Sequence, residues 1–369
     1  MATLSVDGVE ANTTQRDAFI ERMLQSAAGF FDIFTIYLGQ RLGYYHVLAM
    51  SEPVSSQELA AQTNTQERYA REWLEQQAVS GILGVQDAAL SGSERKYFLP
   101  AGYGEVLADT ESLNYLAPLA QMLVGVGLQI ESVIEAYRTG QGVPYLQYGS
   151  IFREGQASMN RTMFLQELGR DWLPKLEDIH ARLQSEPAAR IADIGTGAGW
   201  SSIGIAQAYP HVQIDGYDLD QPSIELAWQN ARLAGLEDRV RFSVHDAADP
   251  SLHGRYDLVT VFEALHDMSY PVGALRTMRR MINGSGAVLV VDERVEDQFR
   301  PEGNEVEWIM YGWSVLHCLP VGMAESHSAA TGTVMRYPTL RKYAHEAGFS
   351  DVVILPIENY FFRFYQLIP

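Results

Sequence analysis

Glycine stands at every second position of Gly195-Thr196-Gly197-Ala198-Gly199, entered through the apolar run Ile191-Ala192-Asp193-Ile194 and left through a helix-like segment from Trp200. Residues without a Cβ allow a sharp bend and leave their N–H groups bare, so a strand can stop, turn and start a helix whose N-terminus faces a ligand. Asp218 closes the next apolar run. At that place in a βαβ unit a carboxylate is positioned to bond a ribose diol. The segment therefore predicts a nucleoside-binding βαβ unit.

The spacing is not the dinucleotide fingerprint. G-x-G-x-x-G requires glycine where Trp200 stands, and Asp193, two residues before the first glycine, would repel a pyrophosphate. A carboxylate there suits a ligand with positive charge near the bend, such as the ammonium and sulfonium of S-adenosyl-L-methionine. The D-x-G-x-G-x-G run resembles motif I of the class I S-adenosylmethionine-dependent methyltransferases. That resemblance extends from about Ala188 to Pro369 and implies a Rossmann-like sheet with a terminal antiparallel strand.

The rest of that half of the chain agrees with an α/β fold. Arg190–Ile194, Val212–Tyr217, Val240–Val244, Tyr256–Phe262 and Ala287–Asp292 are apolar and β-branched, with helical segments between them. This alternation predicts parallel strands joined by crossover helices. Pro222 just after Asp220, and Gly235 beyond, bound one such helix. A helix from Thr339 to Ala347, closed by Gly348, leads to strands Val352–Leu355 and Tyr360–Leu367, which must form an antiparallel hairpin.

Ahead of this lies a different texture. Phe19 to Met50 reads as helical, with Phe30, Phe31, Phe34, Tyr37 and Leu38 spaced as a core or dimer seam. The Ser55-x-x-Glu58 capping box starts a second helix, and a turn at Asn64-Thr65 leads to another ending near Gly81. Short strands at Ile82–Val85 and Lys96–Leu99 complete the order of a winged helix. Its would-be recognition helix, Gln66 to Val79, sets Arg68 and Arg71 against Glu67, Glu72 and Glu75, so it is net negative where DNA contact needs clustered basic groups. Dimerisation is the expected role. Leu113 to Tyr137 reads as a further helical stretch and the Gly140–Pro144 turn as its end. The division expected is 1–105 winged helix, 106–180 helical linker and substrate cap, and 181–369 cofactor-binding domain with a lid at about 294–337.

Charge and cysteine content narrow the partners. The 369 residues carry 27 basic and 46 acidic side chains, a net charge of −19, which repels nucleic acid and anionic membranes. Cys318 is the single cysteine, so the chain has no intrachain disulfide and no Cys-rich metal site, as expected of a reducing cytoplasm. The N-terminal stretch through Asp17 has neither the basic start nor the apolar centre of a signal peptide, and Ser112–Ile130, uncharged but broken by Asn114, Pro118 and Gln121, reads as a buried helix. Zinc ligands at standard spacing are absent, so no metal is expected.

In an open parallel sheet the ligand lies outside the carboxyl ends of the strands at the switch point. That rule selects Asp193, Gly195, Gly197 and Gly199 at the bend, Asp218 for the ribose and Leu219 over adenine, Asp246-Ala247 toward the adenine amino group, and Phe262 after the fourth strand. Strand-end aspartates also serve as turn formers and caps. Glu263-Ala264-Leu265-His266-Asp267-Met268 follows, and with the winged helix it resembles the small-molecule O-methyltransferases, whose H-D-W tripeptide supplies a catalytic base. The resemblance places that role on His266, although Met268 replaces the tryptophan. In the lid, Trp308 and Tyr311 share a helical face as candidate acceptor contacts, His317 is a second candidate base, and Arg336 is expected to pair with a carboxylate.

The expectation is a cytoplasmic, homodimeric S-adenosylmethionine-dependent methyltransferase acting on a small molecule, at oxygen with His266 as base. C- or N-methylation by positioning alone, a ligand-sensing winged-helix regulator and a nicotinamide oxidoreductase are the alternatives, the last disfavoured by Asp193 and Trp200.

Overall fold

A left-handed glycine divides the first apolar stretch. Helices α1 (Val6–Arg41) and α2 (Tyr44–Met50) replace the single helix expected over Phe19 to Met50, because Gly43 adopts φ 73°, a conformation that ends an α-helix. The computed structural model describes residues 6–369, so the first five residues of the stretch without signal-peptide character lie outside them. Ser55 and Glu58 exchange both capping-box hydrogen bonds to start α3 (Ser56–Thr63). After the left-handed Asn64, α4 (Glu67–Val79) buries Ala70, Trp73 and Leu74 against Tyr44, Tyr45 and Leu59. The antiparallel wing, β1 (Gly84–Val85) and β2 (Tyr97–Phe98), is shorter than the sequence suggests and is followed by α5 (Ala101–Leu107). Helix, helix-turn-helix and hairpin make the winged helix.

The expected helix from Leu113 to Tyr137 is two helices, α6 (Ala117–Gly127) and α7 (Ile130–Thr139), bent by 53°. Among the described residues no single helix is long and apolar enough to cross a membrane. Contacts divide the chain into two compact units, Met1–Val124 and Gly125–Pro369, so the segment 106–180 is shared between them.

In the second unit α8 (Gly149–Met163) runs on through a π-helical stretch, Phe164–Trp172, toward α9 (Glu177–Leu183). The sheet follows: β3 (Arg190–Ile194), α10 (Trp200–Ala208), β4 (Gln213–Asp218), α11 (Gln221–Leu233), β5 (Val240–Val244), β6 (Tyr256–Phe262), α12 (Pro271–Met281) and β7 (Ile282–Glu293). An insertion carries α13 (Glu305–Trp313), a π-helical turn over Ser314–Cys318 and α14 (Leu319–Gly322). Then α15 (Tyr337–Ala347), β8 (Asp351–Ile354) and β9 (Phe362–Ile368) close the chain. Strand order is β5-β4-β3-β6-β7-β9-β8, parallel from β5 to β7, with β9 antiparallel to both neighbours. Every residue of β6 is buried, as a central strand covered on both faces requires. Because β3 is followed on one side by β4 and flanked on the other by β6, the order reverses between β3 and β6, and a crevice opens at their carboxyl ends.

Candidate active site

Gly195, Gly197 and Gly199 take φ of 68°, 52° and 81°, the left-handed region that L side chains avoid. Their purposes differ. A Cβ on Gly197 would meet nothing within 4 Å, and its N–H donates to Asp218 Oδ2 at 2.8 Å. On Gly199 a Cβ would fall 2.6 Å from the Phe242 ring, so that glycine serves the packing of α10 on the sheet. Gly199 itself does not line the cavity described below.

A cavity of about 560 Å³ opens at the switch point. Gly195, Gly197, Asp218, Leu219, Asp246, Ala247 and Phe262 line it. The Asp218 carboxylate also accepts from the Asp220 N–H at 2.9 Å, and burial pushes its pKa up to about 6. Asp246 Oδ1 accepts from the Ala248 N–H at 2.8 Å, which fixes the turn after β5.

Asp193 does not line this cavity. Its carboxylate is 1% exposed and accepts four hydroxyls: Thr196 (3.0 Å), Ser201 (2.6 Å) and Ser202 (2.7 Å) on Oδ2, and Thr260 (2.9 Å) on Oδ1. It clamps the bend and the start of α10 to β6 and does not reach the cavity. Hydroxyls crowd this spot because a buried carboxylate needs donors on both oxygens. Ser201-Ser202 in the first turn of α10 was the signal.

His266 is likewise turned inward. The ring is 2% exposed and off the cavity wall, with Nδ1 2.8 Å from Asp292 Oδ1 and 3.1 Å from Glu293 Oε2, and Nε2 3.3 Å from Asp267 Oδ1. Burial opposes charge on the ring, but Asp292, Glu293 and Asp267 outweigh it and hold the imidazole pKa well above its ordinary value. The ring, expected as a base, thus lies behind the cavity wall and bonds to acids there. The group on the wall is its neighbour Asp267, whose pKa burial lifts to about 6. Donor atoms of His266 meet those of Asp267 and Cys318, or of Asp292 and Glu293, within 4.8 Å, a spacing that suits a cation; the protonated ring already supplies positive charge to these acids.

The lid contributes other residues than expected. Trp308 and Tyr311 do share a face of α13, but at 68% and 38% exposure they point away from the cavity, because Val306 and Met310 take the inner face against Val295. His317 is buried off the wall, stacked on Phe152 at 4.1 Å, and burial drives its pKa down to about 3. Val321, Ala324 and Glu325 are the lid residues that reach the cavity. Arg336 pairs with Glu307 at 2.7 Å, as expected.

Two wall residues of α8 escaped the sequence reading. Arg153 of α8 makes a bidentate pair with Asp220, at 2.6 and 3.2 Å, which ties the helical segment to the turn after β4 on the cavity wall. Asn160 of α8 donates to Glu263 at 3.2 Å. Nothing in sequence couples α8 to strand ends more than sixty residues away.

The buried acids have a consequence for stability. Asp218, Glu263 and Asp267 all hold protons to higher pH than unfolded carboxyls, and His266 holds its proton above the unfolded imidazole pKa. At these four groups the folded chain binds more protons than the unfolded one above about pH 4, so their contribution to stability falls as pH rises. Thermal melts of the ligand-free protein should give a higher midpoint near pH 5.5 than near pH 8, by roughly several degrees. A midpoint that climbs across that range would contradict these protonation states.

Residues 185–321 match the family described as a methyltransferase domain, and residues 33–109 the Rv2258c-like winged HTH domain. A ribosomal protein uL3 glutamine methyltransferase of Neisseria meningitidis is 29% identical over 160 residues, 40% of this chain and 49% of that enzyme. The chain spans about half the length, or less, of the first curated relatives it matches. Among solved structures, the mitomycin 7-O-methyltransferase MmcR superposes with a TM-score of 0.69 at 18% identity, over 96% of this chain and 99% of that one. Human N-acetylserotonin methyltransferase in complex with SAM gives 0.69 at 17% identity, over 95% and 97%. At these identities the structural likeness establishes the fold.

Proposed function

We propose, from the premise that residues 185–321 form a methyltransferase domain behind a winged helix-turn-helix domain, that the chain transfers the methyl group of S-adenosyl-L-methionine to a small-molecule acceptor. The observation that carries this reading is one continuous cavity, with Asp218 and Leu219 at a nucleoside end and Glu263, Asp267 and Met268 on the wall beyond. Asp218 takes the ribose diol, Leu219 covers the adenine, and Asp246 accepts from its amino group. Methyl transfer is an in-line displacement whose reactive group the cofactor brings, so the protein's work is orientation, exclusion of water and removal of the acceptor's proton.

For an oxygen acceptor, Asp267 takes that proton and His266 acts behind it. The imidazolium, held by Asp292 and Glu293, keeps the Asp267 carboxylate available near neutrality. An amine acceptor is the second reading. Asp218, Asp220, Asp246, Glu263, Asp267 and Glu325 line the cavity against Arg153 and His245, and Arg153 is already paired, so neutral or basic acceptors fit better than acids. A DNA-binding role is disfavoured because Arg68 pairs with Glu72 and Arg71 with Glu67 on α4.

The proposed assembly is a homodimer, in the cytoplasm. Phe19, Ile20, Met23, Leu24, Phe30 and Phe31 leave α1 with an apolar face, each at least half exposed, and a second copy would cover it. Light scattering should report a dimer, with Phe31→Asp shifting it toward monomer. A monodisperse wild-type monomer would remove the assembly.

Titration calorimetry tests the cofactor reading: S-adenosylhomocysteine should bind and NAD should not. Incubation of metabolite extracts with labelled methyl donor then identifies the acceptor. No binding of the adenosyl ligand would end the proposal.

A further inference from the structure

With Asp193 turned inward, the cationic amino-acid end of the cofactor needs another counter-charge; this inference rests on the cofactor assignment above. We infer that Glu263, oriented by Asn160, forms a subsite for a primary ammonium, the α-ammonium of the adenosyl amino acid.

Placement comes first. Glu263 directly follows Phe262 at the carboxyl end of β6, on the switch-point crevice, and lines the same cavity as Gly195 and Gly197. Its neighbour Ala264 packs so closely on the bend that a Cβ on Gly195 would lie 2.7 Å from the Ala264 methyl. The carboxylate therefore emerges one residue from the glycine bend, where Asp193 was expected to act.

The backbone there is held in an unfavourable state. Glu263 has φ 50°, in the left-handed region that L residues rarely adopt. Its N–H is pinned to the Val291 carbonyl at 2.9 Å. Strain of this kind at a strand end, on a cavity wall, is kept where it aims a side chain.

Charge accounting then singles out this acid. Asp220 has Arg153, Asp218 accepts two backbone N–H groups, and Asp267 lies against the His266 ring. Glu263 has the neutral Asn160 amide on Oε1 and, among the described residues, no ion pair. Burial pushes its pKa up to about 7, although the His266 charge behind the wall draws it down. A carboxylate so placed has no charged N–H donor bonded to it among the described residues, and an ammonium supplies one. Asn160 donates through Nδ2, which leaves its Oδ1 to accept one of the ammonium protons.

Two thioether nucleosides test the subsite, S-adenosylhomocysteine and 5′-methylthioadenosine, which share adenosine and sulfur but differ in the amino-acid group. Against the wild type, Glu263→Gln should weaken S-adenosylhomocysteine roughly 10- to 100-fold by calorimetry, the range for a lost charge-assisted bond, and leave 5′-methylthioadenosine within about twofold. Retained 5′-methylthioadenosine binding also shows that the variant is folded. Asn160→Ala should move affinity in the same selective direction by less. Equal loss of both ligands, or loss of neither, overturns the subsite while leaving the cofactor assignment standing. If wild-type protein binds neither nucleoside, the cofactor assignment fails and the subsite falls with it.

Discussion

Asp218→Ala is expected to abolish S-adenosylhomocysteine binding, with a loss of roughly 100-fold or more, because two charge-assisted hydrogen bonds to the ribose diol disappear together. The carboxylate has a second task, since Oδ2 also accepts the Gly197 N–H and so holds the glycine bend on the cavity wall. Asp218→Asn keeps an acceptor for that N–H and loses the charge, so it should fall between the wild type and the alanine variant. Ligand affinity of the wild type should also weaken as pH drops through about 6, where the carboxylate takes up a proton. Folding should survive, because alanine removes a buried acid that has no cation of its own. Calorimetry across pH, with a melting curve for each variant, makes the measurement. Full affinity in a folded alanine variant would mean that the nucleoside lies elsewhere.

His266→Ala should show a double effect. Turnover falls by roughly 10² to 10⁴, the usual worth of positioned proton transfer, once Asp267 loses the imidazolium behind it. Stability falls too, by about 3–5 kcal/mol, since Asp292, Glu293 and Asp267 are left facing one another in a buried site. Asp267→Asn separates the two effects: it should match the loss in turnover and spare the fold, because it removes a negative charge from the cluster. S-adenosylhomocysteine affinity should persist in both variants. Unaltered turnover in His266→Ala, with acceptor saturating, would take the histidine out of the reaction. Loss of turnover in His266→Ala but not in Asp267→Asn would return the direct role to the ring.

Much of the fold was legible along the chain because it depends on local rules. The capping box at Ser55 and Glu58, the Pro222 and Gly235 bounds of α11, the apolar run of β6 and the Gly348 stop of α15 each act within a few residues. Misreadings arose where periodicity was continuous but the backbone was not. Gly43 split α1 from α2, and the uncharged stretch after Leu113 hid the bend between α6 and α7.

For the site, the sequence by itself determined the positions at the strand ends: the glycine bend, Asp218 with Leu219, Asp246 with Ala247, and the Phe262 to Met268 segment. Those follow from strand order and the crevice it creates. Only the tertiary structure decided which way each side chain faces. Asp193 turned toward the hydroxyls of Ser201, Ser202, Thr196 and Thr260; His266 toward Asp292 and Glu293; Trp308 and Tyr311 toward the outside of the lid. A buried charge goes where its partners are, and those partners come from α10, β6 and β7, brought together only when the sheet closes.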